Sequence, residues 1–444
     1  MLRNFILVSL LAHLGSLAAT QTVYGASFSS LRWYSLFAVF AFGCLHWVQD
    51  RQRILLSETI KLRLLIYLVA WAVTVINADY PLFSGLRYAG HAMILTFSLI
   101  FMPCVLRSDD AWKLLIPLKC ILGIALALSY FNPVPLTIFD DPDLLRGIFG
   151  NPNALGHMSA VGCLLFLHGF VTDQDAYPRW AKLQGALAAF SGFVMLQSGA
   201  RSSAMAFLCG FFVLYVFYKG RFSKYLMLAA VAVALAVLIA PGLSTQVGDF
   251  VFKRADTQSE SIAERLTSSR IDAWEQSWDG FKQRPILGWG FGIDRNIDLS
   301  DWQGEWSSSG FTGRDPVNDV MYSLESGGLV GLSAYLFMLS LLLKAWFPAR
   351  VRTPLEFALR QPNLRRLALA YDGYRLYFTL AVSLIALFEF DNTAYAVGNF
   401  FAALMWLSMG MALGYFAMVA AALQLPMAEP TAHVANRRTT FAGL

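Results

Sequence analysis

Apolar residues run along this chain in long blocks, each closed by a short polar stretch rich in Arg, Lys, Asp, Gly or Pro. A bilayer core needs about 20 apolar residues per helix. Blocks of that kind fall at approximately 4–20, 31–49, 60–77, 86–106, 112–130, 155–171, 181–197, 203–218, 224–240, 327–347, 374–392 and 395–424. The pattern predicts an all-α polytopic membrane protein of about twelve transmembrane helices. Nine of them occupy residues 1–240 and three occupy 327–424. The first block, Phe5 to Ala19, has the length of a signal-peptide core ending in Ser16-Leu-Ala-Ala, but is read as a retained helix.

Residues 241–326, between the ninth and tenth blocks, break the pattern with fourteen acids, eight bases and five tryptophans. A loop of this length in an ordered protein is usually a functional cap or lid. Within it, Ile271, Trp274, Trp278 and Phe281 recur at helical spacing opposite Asp272, Glu275 and Asp279. Ser269 stands as an N-cap and Pro285 as a stop. The expected helix either rests its aromatic face on lipid or caps a site.

Composition agrees with the block pattern. Hydrophobic residues make up 57% of 444 positions and charged residues 14%. Soluble domains carry about 25% charged residues. A soluble enzyme, a disordered chain and a nucleic-acid-binding module are therefore excluded. Cys44, Cys104, Cys120, Cys163 and Cys209 all lie in apolar blocks, without disulfide or metal-site spacing.

Charge sets the orientation. The short even-numbered loops hold sixteen Lys and Arg, the short odd-numbered ones only Arg87, Arg146 and Arg201. By the positive-inside rule both termini are cytoplasmic and the 241–326 loop lies outside. A basic cytoplasmic loop follows near 348–373, and 425–444 is a cytoplasmic tail.

The three outer arginines then stand out. Arg146 precedes Asn151-Pro-Asn153-Ala-Leu-Gly156, a turn leading into a helix. That arrangement is a good N-cap, and an arginine beside a helix N-terminus also makes an anion site. Arg201 sits in the tight outer turn Gln197-Ser-Gly-Ala-Arg-Ser-Ser, where small residues let a ligand approach the backbone. A snorkelling arginine is the plain alternative. Arg270 starts the loop helix, where a cation opposes the helix dipole unless an anion binds there too. Further on come Asp315, Asn318, Asp319 and Glu325, which are either solvated loop acids or groups that engage an acceptor hydroxyl. Glu389 and Asp391 lie near the outer end of the eleventh block, and His91, His157 and His168 are expected to be packed. Gly288-Trp-Gly-Phe-Gly292 follows no strand and is not a dinucleotide fingerprint.

In order, these pieces resemble the bacterial O-antigen ligase/polymerase (Wzy-like) membrane glycosyltransferase family. The matching motifs are Asn151-Pro-Asn-Ala-Leu-Gly156, Ser198-Gly-Ala-Arg201-Ser and Arg270-x3-Trp274. Phe281-x3-Pro285-x2-Gly288-x-Gly290-x-Gly292 and Asn318-x6-Glu325-x-Gly327-Gly-Leu-x-Gly331 complete the set. The resemblance implies a metal-independent glycosyltransferase without cofactor, acting at the periplasmic face of the bacterial inner membrane on a glycan carried by polyprenyl diphosphate. It places Arg201 and Arg270, with Arg146, on the diphosphate. Asn151, Asn153, Trp274 and Asn318 fall to the glycan, and Asp319, Asp315 or Glu325 to the acceptor. A flippase and a chain-length regulator are the implied partners, beside membrane lipid.

One departure matters. Family ligases typically carry a histidine before the motif asparagine, whereas here Val317 precedes Asn318 and the 241–326 loop holds no histidine. This favours a polymerase of O-antigen or exopolysaccharide repeat units. A ligase moving finished glycan to a lipid or protein acceptor, and a non-enzymatic flippase, stay open.

Overall fold

A computed structural model describes residues 2–22, 24–49, 58–105, 107, 110–131, 145–149, 151–219, 270–293, 318–346, 365–389, 395 and 399–424. These residues are helical apart from turns and one bridge between Thr22 and Phe149. The helices are α1 Leu2–Thr20, α2 Ser29–Gln49, α3 Glu58–Ile76, α4 Pro81–Val105 (with a π-turn at Phe97–Phe101), α5 Asp110–Phe131 and α6 Pro152–Thr172. Then follow α7 Pro178–Gln197, α8 Arg201–Lys219, α9 Arg270–Gln283, α10 Asp319–Ala345, α11 Arg365–Phe388 and α12 Phe400–Gln424.

Eleven of the expected spans meet a helix. The expected ninth, 224–240, lies outside the described residues, as do most of the polar loop, most of the basic loop near 348–373 and the tail. Among the described residues nine helices are by length and composition apolar enough to cross a membrane, all but α7, α9 and α11, with α10 counted over a stretch that is broken at Gly328. α9 is too short at 14 residues, and the other two exceptions follow from charge. Arg179 and Lys182 dilute the first turns of α7, and Arg365, Arg366, Asp372 and Arg375 those of α11.

That charge also hid the start of α11, which begins nine residues before the expected 374. Arg375 lies over the Tyr371 ring at 3.9 Å and over Tyr218 at 4.7 Å, and pairs with Asp372 at 3.8 Å. Its charge is answered inside the bundle, so the polar stretch stays helical. The helix ends at Phe388, which leaves Glu389 just beyond it and not within the span drawn to 392. Pro81, Pro152 and Pro178 each occupy a first helical position, where a missing N–H costs nothing, and this moves the start of α4 ahead of 86.

α6 and α12 are the most enclosed spans, with 89% and 83% of their central windows buried. The other helices pack around them as antiparallel neighbours, α7 on α6, α11 on α12 and α1 on α2. α1 itself contributes Ile6, Leu10, Leu14 and Leu17 to the core.

α10 departs most from expectation. The sequence reads as a helix starting at 327, but helical backbone begins at Asp319 and is broken at Gly328 (φ 60°, ψ −155°). The Tyr335 hydroxyl donates to Asp319 Oδ2 at 3.3 Å, although sixteen residues of straight helix would separate them by about 24 Å. A Cβ on Gly331 would stand 3.1 Å from the Ser323 carbonyl. The two halves therefore fold back on each other as a helical hairpin with its tip at Gly327-Gly328. Only glycine accepts that φ without strain, and a Cβ at 328 would meet the Ile286 carbonyl at 2.5 Å.

Candidate functional site

The hairpin tip leaves backbone groups without partners inside either helical half, and these must be satisfied from elsewhere. The segment from Pro285 to Ile293 satisfies them. Leu329 N and Val330 N, at the start of the second half, donate to the carbonyls of Pro285 (2.9 Å) and Ile286 (3.2 Å). The carbonyls of Glu325 and Ser326, at the end of the first half, accept from Trp289 N (3.0 Å) and Gly290 N (2.8 Å). Ser326 Oγ adds a bond to the Ile293 carbonyl at 2.8 Å. The glycine-rich run is thus a backbone plug for a broken helix. Gly288, Gly290 and Gly292 all have positive φ, and a side chain on Gly288 would strike the backbone at Ser326 and Gly327.

The plug is fastened on its other side as well. Arg87 Nη1 donates to the Gly292 carbonyl at 2.6 Å, and Ser84 Oγ to the Phe291 carbonyl at 2.8 Å. Arg284 pairs with Asp79 at 2.8 Å and lies over the Trp289 ring at 4.1 Å. Arg87, one of the three outer arginines, is here a fastening for the loop.

α9 packs on the hairpin by a face other than the aromatic one. Ser277 and Gly280 are buried, and a Cβ on Gly280 would stand 2.8 Å from Glu325 Oε1. Small residues bring the helix close, while Trp278 remains 46% exposed with its ring tilted against Phe281 at 5.1 Å. Trp274 is half-buried, and its indole Nε1 meets no hydrogen-bond partner among the described residues. Arg270 is the first residue of α9.

The first half of α10 hangs from Asn318. Its Oδ1 accepts from Val320 N (2.8 Å) and Met321 N (3.1 Å), an N-cap, while its Nδ2 donates to the Glu389 carbonyl at 2.8 Å. Asn318 therefore ties the hairpin to the end of α11. Below it Asp319 is fully buried, and Glu325 is 3% exposed. The floor is aromatic: Tyr67 bonds His91 Nε2 at 2.9 Å, Tyr395 bonds Ser323 Oγ at 2.6 Å, and Trp71, Phe291 and Trp406 close the gaps.

The arginine side is built at the N-termini of α6 and α8. Asn151 caps α6 through Asn153 N at 2.8 Å, with Asn153 half-buried in the first turn. A Cβ on Gly156 would meet Ala200, Ser198 and Ser203, so the two motifs pack directly together. His157 Nε2 bonds Ser202 Oγ at 3.2 Å, beside Arg201. The Arg146 segment docks on the same turn through Leu145 N to the Gln197 carbonyl at 3.1 Å, and Arg146 is 6% exposed. Two helix N-termini and two guanidinium groups at one end of the bundle are suited to an anion.

These halves meet at α11. Ser383 Oγ bonds the Ala206 carbonyl (2.8 Å) and Tyr218 bonds Asp372 Oδ1 (3.2 Å), so α8 and α11 run antiparallel. That register carries Arg201 to the level of Glu389, and so of Asn318. The structure thereby brings Arg146, Arg201, Asn151, Asn153, Asn318, Asp319 and Glu325 to one end. Asp315 lies outside the described residues. Sequence reasoning left Glu389 unassigned, and the signal available was a carboxylate at the end of an apolar block. His91, His157 and His168 are buried, as expected. Among the described residues no three His, Cys, Asp or Glu side chains converge as a metal site would require.

No curated protein matches this chain. A family model described as O-antigen ligase, Wzy_C, matches residues 186–336, which take in Arg201, the plug and the tip of the α10 hairpin. This is a multi-pass membrane protein whose residues 186–336 match the O-antigen ligase (Wzy_C) family.

Proposed function

We propose that the protein polymerises oligosaccharide repeat units carried on polyprenyl diphosphate, at the periplasmic face of the inner membrane. The observation that carries this reading is the meeting of Arg201, at a helix N-terminus, with the Asn318 cap at one level of the bundle. Arg201, Arg146 and Arg270 hold the diphosphate. As the glycosyl carbon–oxygen bond breaks, negative charge grows on that group, and a preorganised guanidinium stabilises it without a metal or a proton. Asn151, Asn153 and Trp274 contact the glycan. Asn318 orients the acceptor end, with Asp315, Asp319 and Glu325 as its carboxylates.

The positive-inside count supports cytoplasmic termini. A further crossing at 224–240 and an outer loop from 241 complete this reading. Val317, in the place of the family histidine, favours polymerase over ligase. The family description keeps ligation as the second reading.

Surface glycan length on a gel separates the two in a strain deleted for this protein. A polymerase leaves single repeat units on the acceptor, and wild type restores the ladder. Full-length polymer accumulating on the lipid carrier makes it a ligase.

A further inference from the structure

The family pattern supplies a histidine before the motif asparagine, and this chain lacks it. A glycosyl transfer to a sugar hydroxyl still needs somewhere for the hydroxyl proton to go. The geometry points to Glu389 as the general base, a carboxylate delivered by α11 to the place that the motif loop leaves without one.

Three observations converge on it. Asn318 Nδ2 grips the Glu389 carbonyl at 2.8 Å, so the residue is fixed beside the motif asparagine and not merely near it. The α8–α11 register sets Arg201 at its level, which places base and diphosphate site in one layer. Glu389 is half-buried, whereas Asp319 is fully buried beneath it and Glu325 is 3% exposed under α9. Of the three carboxylates with described surroundings, Glu389 has the most open surface for an incoming hydroxyl.

The neighbourhood also tunes it. Burial raises the Glu389 carboxyl above the ordinary carboxylate range, and the Asn318 amide pulls partly the other way. A base poised closer to neutral pH accepts a proton more effectively. The Tyr335 hydroxyl lies within electrostatic reach of both Glu389 and Asp319 and donates to the latter at 3.3 Å. Asp319 is then a positioning residue, held by Tyr335 under the Asn318 cap.

The step balances without another reactant. The acceptor hydroxyl oxygen bonds the anomeric carbon of the donor and its proton passes to Glu389. The anomeric carbon–oxygen bond to diphosphate breaks, and polyprenyl diphosphate leaves with the electron pair.

This assignment rests on the glycosyl-transfer reading, and the test keeps the two apart. Full-length protein in nanodiscs is given lipid-linked repeat units extracted from a strain lacking it, and elongation is timed on a gel. Undecaprenyl diphosphate binding is followed in parallel by tryptophan fluorescence. Glu389→Gln is expected to slow elongation about 100-fold or more while that binding is unchanged. Glu389→Asp is expected to retain measurable elongation with its acid limb displaced, which a purely structural role would not produce. Elongation by Glu389→Gln within about threefold of wild type overturns the assignment alone, because general-base removal costs about 100-fold or more. Parallel loss of elongation and diphosphate binding overturns it too, since Glu389 would then serve the fold or the donor side. Wild-type protein that fails to elongate removes the underlying reading and Glu389 with it.

Discussion

The two ends of this bundle both bury charge, but they handle it in opposite ways. At the end away from the proposed site, side chains answer side chains. Lys119 bonds Gln184 Oε1, and Gln184 Nε2 bonds Asp173 at 2.6 Å. Beside them His168, Tyr218, Asp372 and Arg375 form a second network. Two cations face two carboxylates, and α5, α6, α7, α8 and α11 are laced together. At the other end the groups answered are backbone ones: Asn151 and Asn318 side chains cap helices, and the glycine plug fills the break in α10. Backbone bonding secures much of the shape of that end. A closed charge network braces the fold, whereas helix N-termini and arginines in a backbone-built frame suit an anionic ligand.

The comparison predicts where stability and activity separate. The largest effect is expected from Gly328→Ala, which strikes the Ile286 carbonyl and strains a positive φ. It should abolish elongation and cost about 1–3 kcal/mol or more, measured by thermal unfolding in detergent. Arg201→Ala comes next, with a loss of elongation of about 100–1000-fold and a smaller shift of the melting curve than Gly328→Ala. Lys119→Met should do the reverse. Leaving Gln184 and Asp173 without their cation costs about 3 kcal/mol in the same melting assay, while elongation per folded molecule stays near wild type.

The pH dependence gives a smaller effect. Glu389 acts as its carboxylate, so elongation falls as pH drops through its pKa. Because burial raises that pKa, the fall begins at higher pH than for an ordinary carboxylate, and Glu389→Gln removes this limb from the profile. Smallest of all is Trp278→Ala on the exposed face of α9, expected to leave stability within about 0.5 kcal/mol.

How much was legible beforehand follows the same division. Spans are local, so eleven expected blocks coincide with helices. The α10 hairpin was hidden because its first half carries Asp319, Ser323, Glu325 and Ser326 and reads as the end of the polar loop, so the apolar block begins only at Gly327. Nothing in hydropathy distinguishes a kink from a reversal. The glycines of 288–292 were visible as a motif, but their partner is the break in α10, some 35 to 40 residues away. The same holds for Asn318 and Glu389, which are joined only by tertiary packing. The aromatic stripe on α9 gave the helix, but not the face that packs on the hairpin, which Gly280 brings close to Glu325. Arg146, Arg201 and Asn318 could be singled out from charge placement and turn chemistry, which are local too.

The most direct test of the central claim is elongation by the purified full-length protein, supplied with lipid-linked repeat units alone. The account predicts a ladder of lengthening lipid-linked glycans that wild type produces and Arg201→Ala does not. A ladder of equal strength from Arg201→Ala, or no ladder from wild type until a separate acceptor is added, would contradict it.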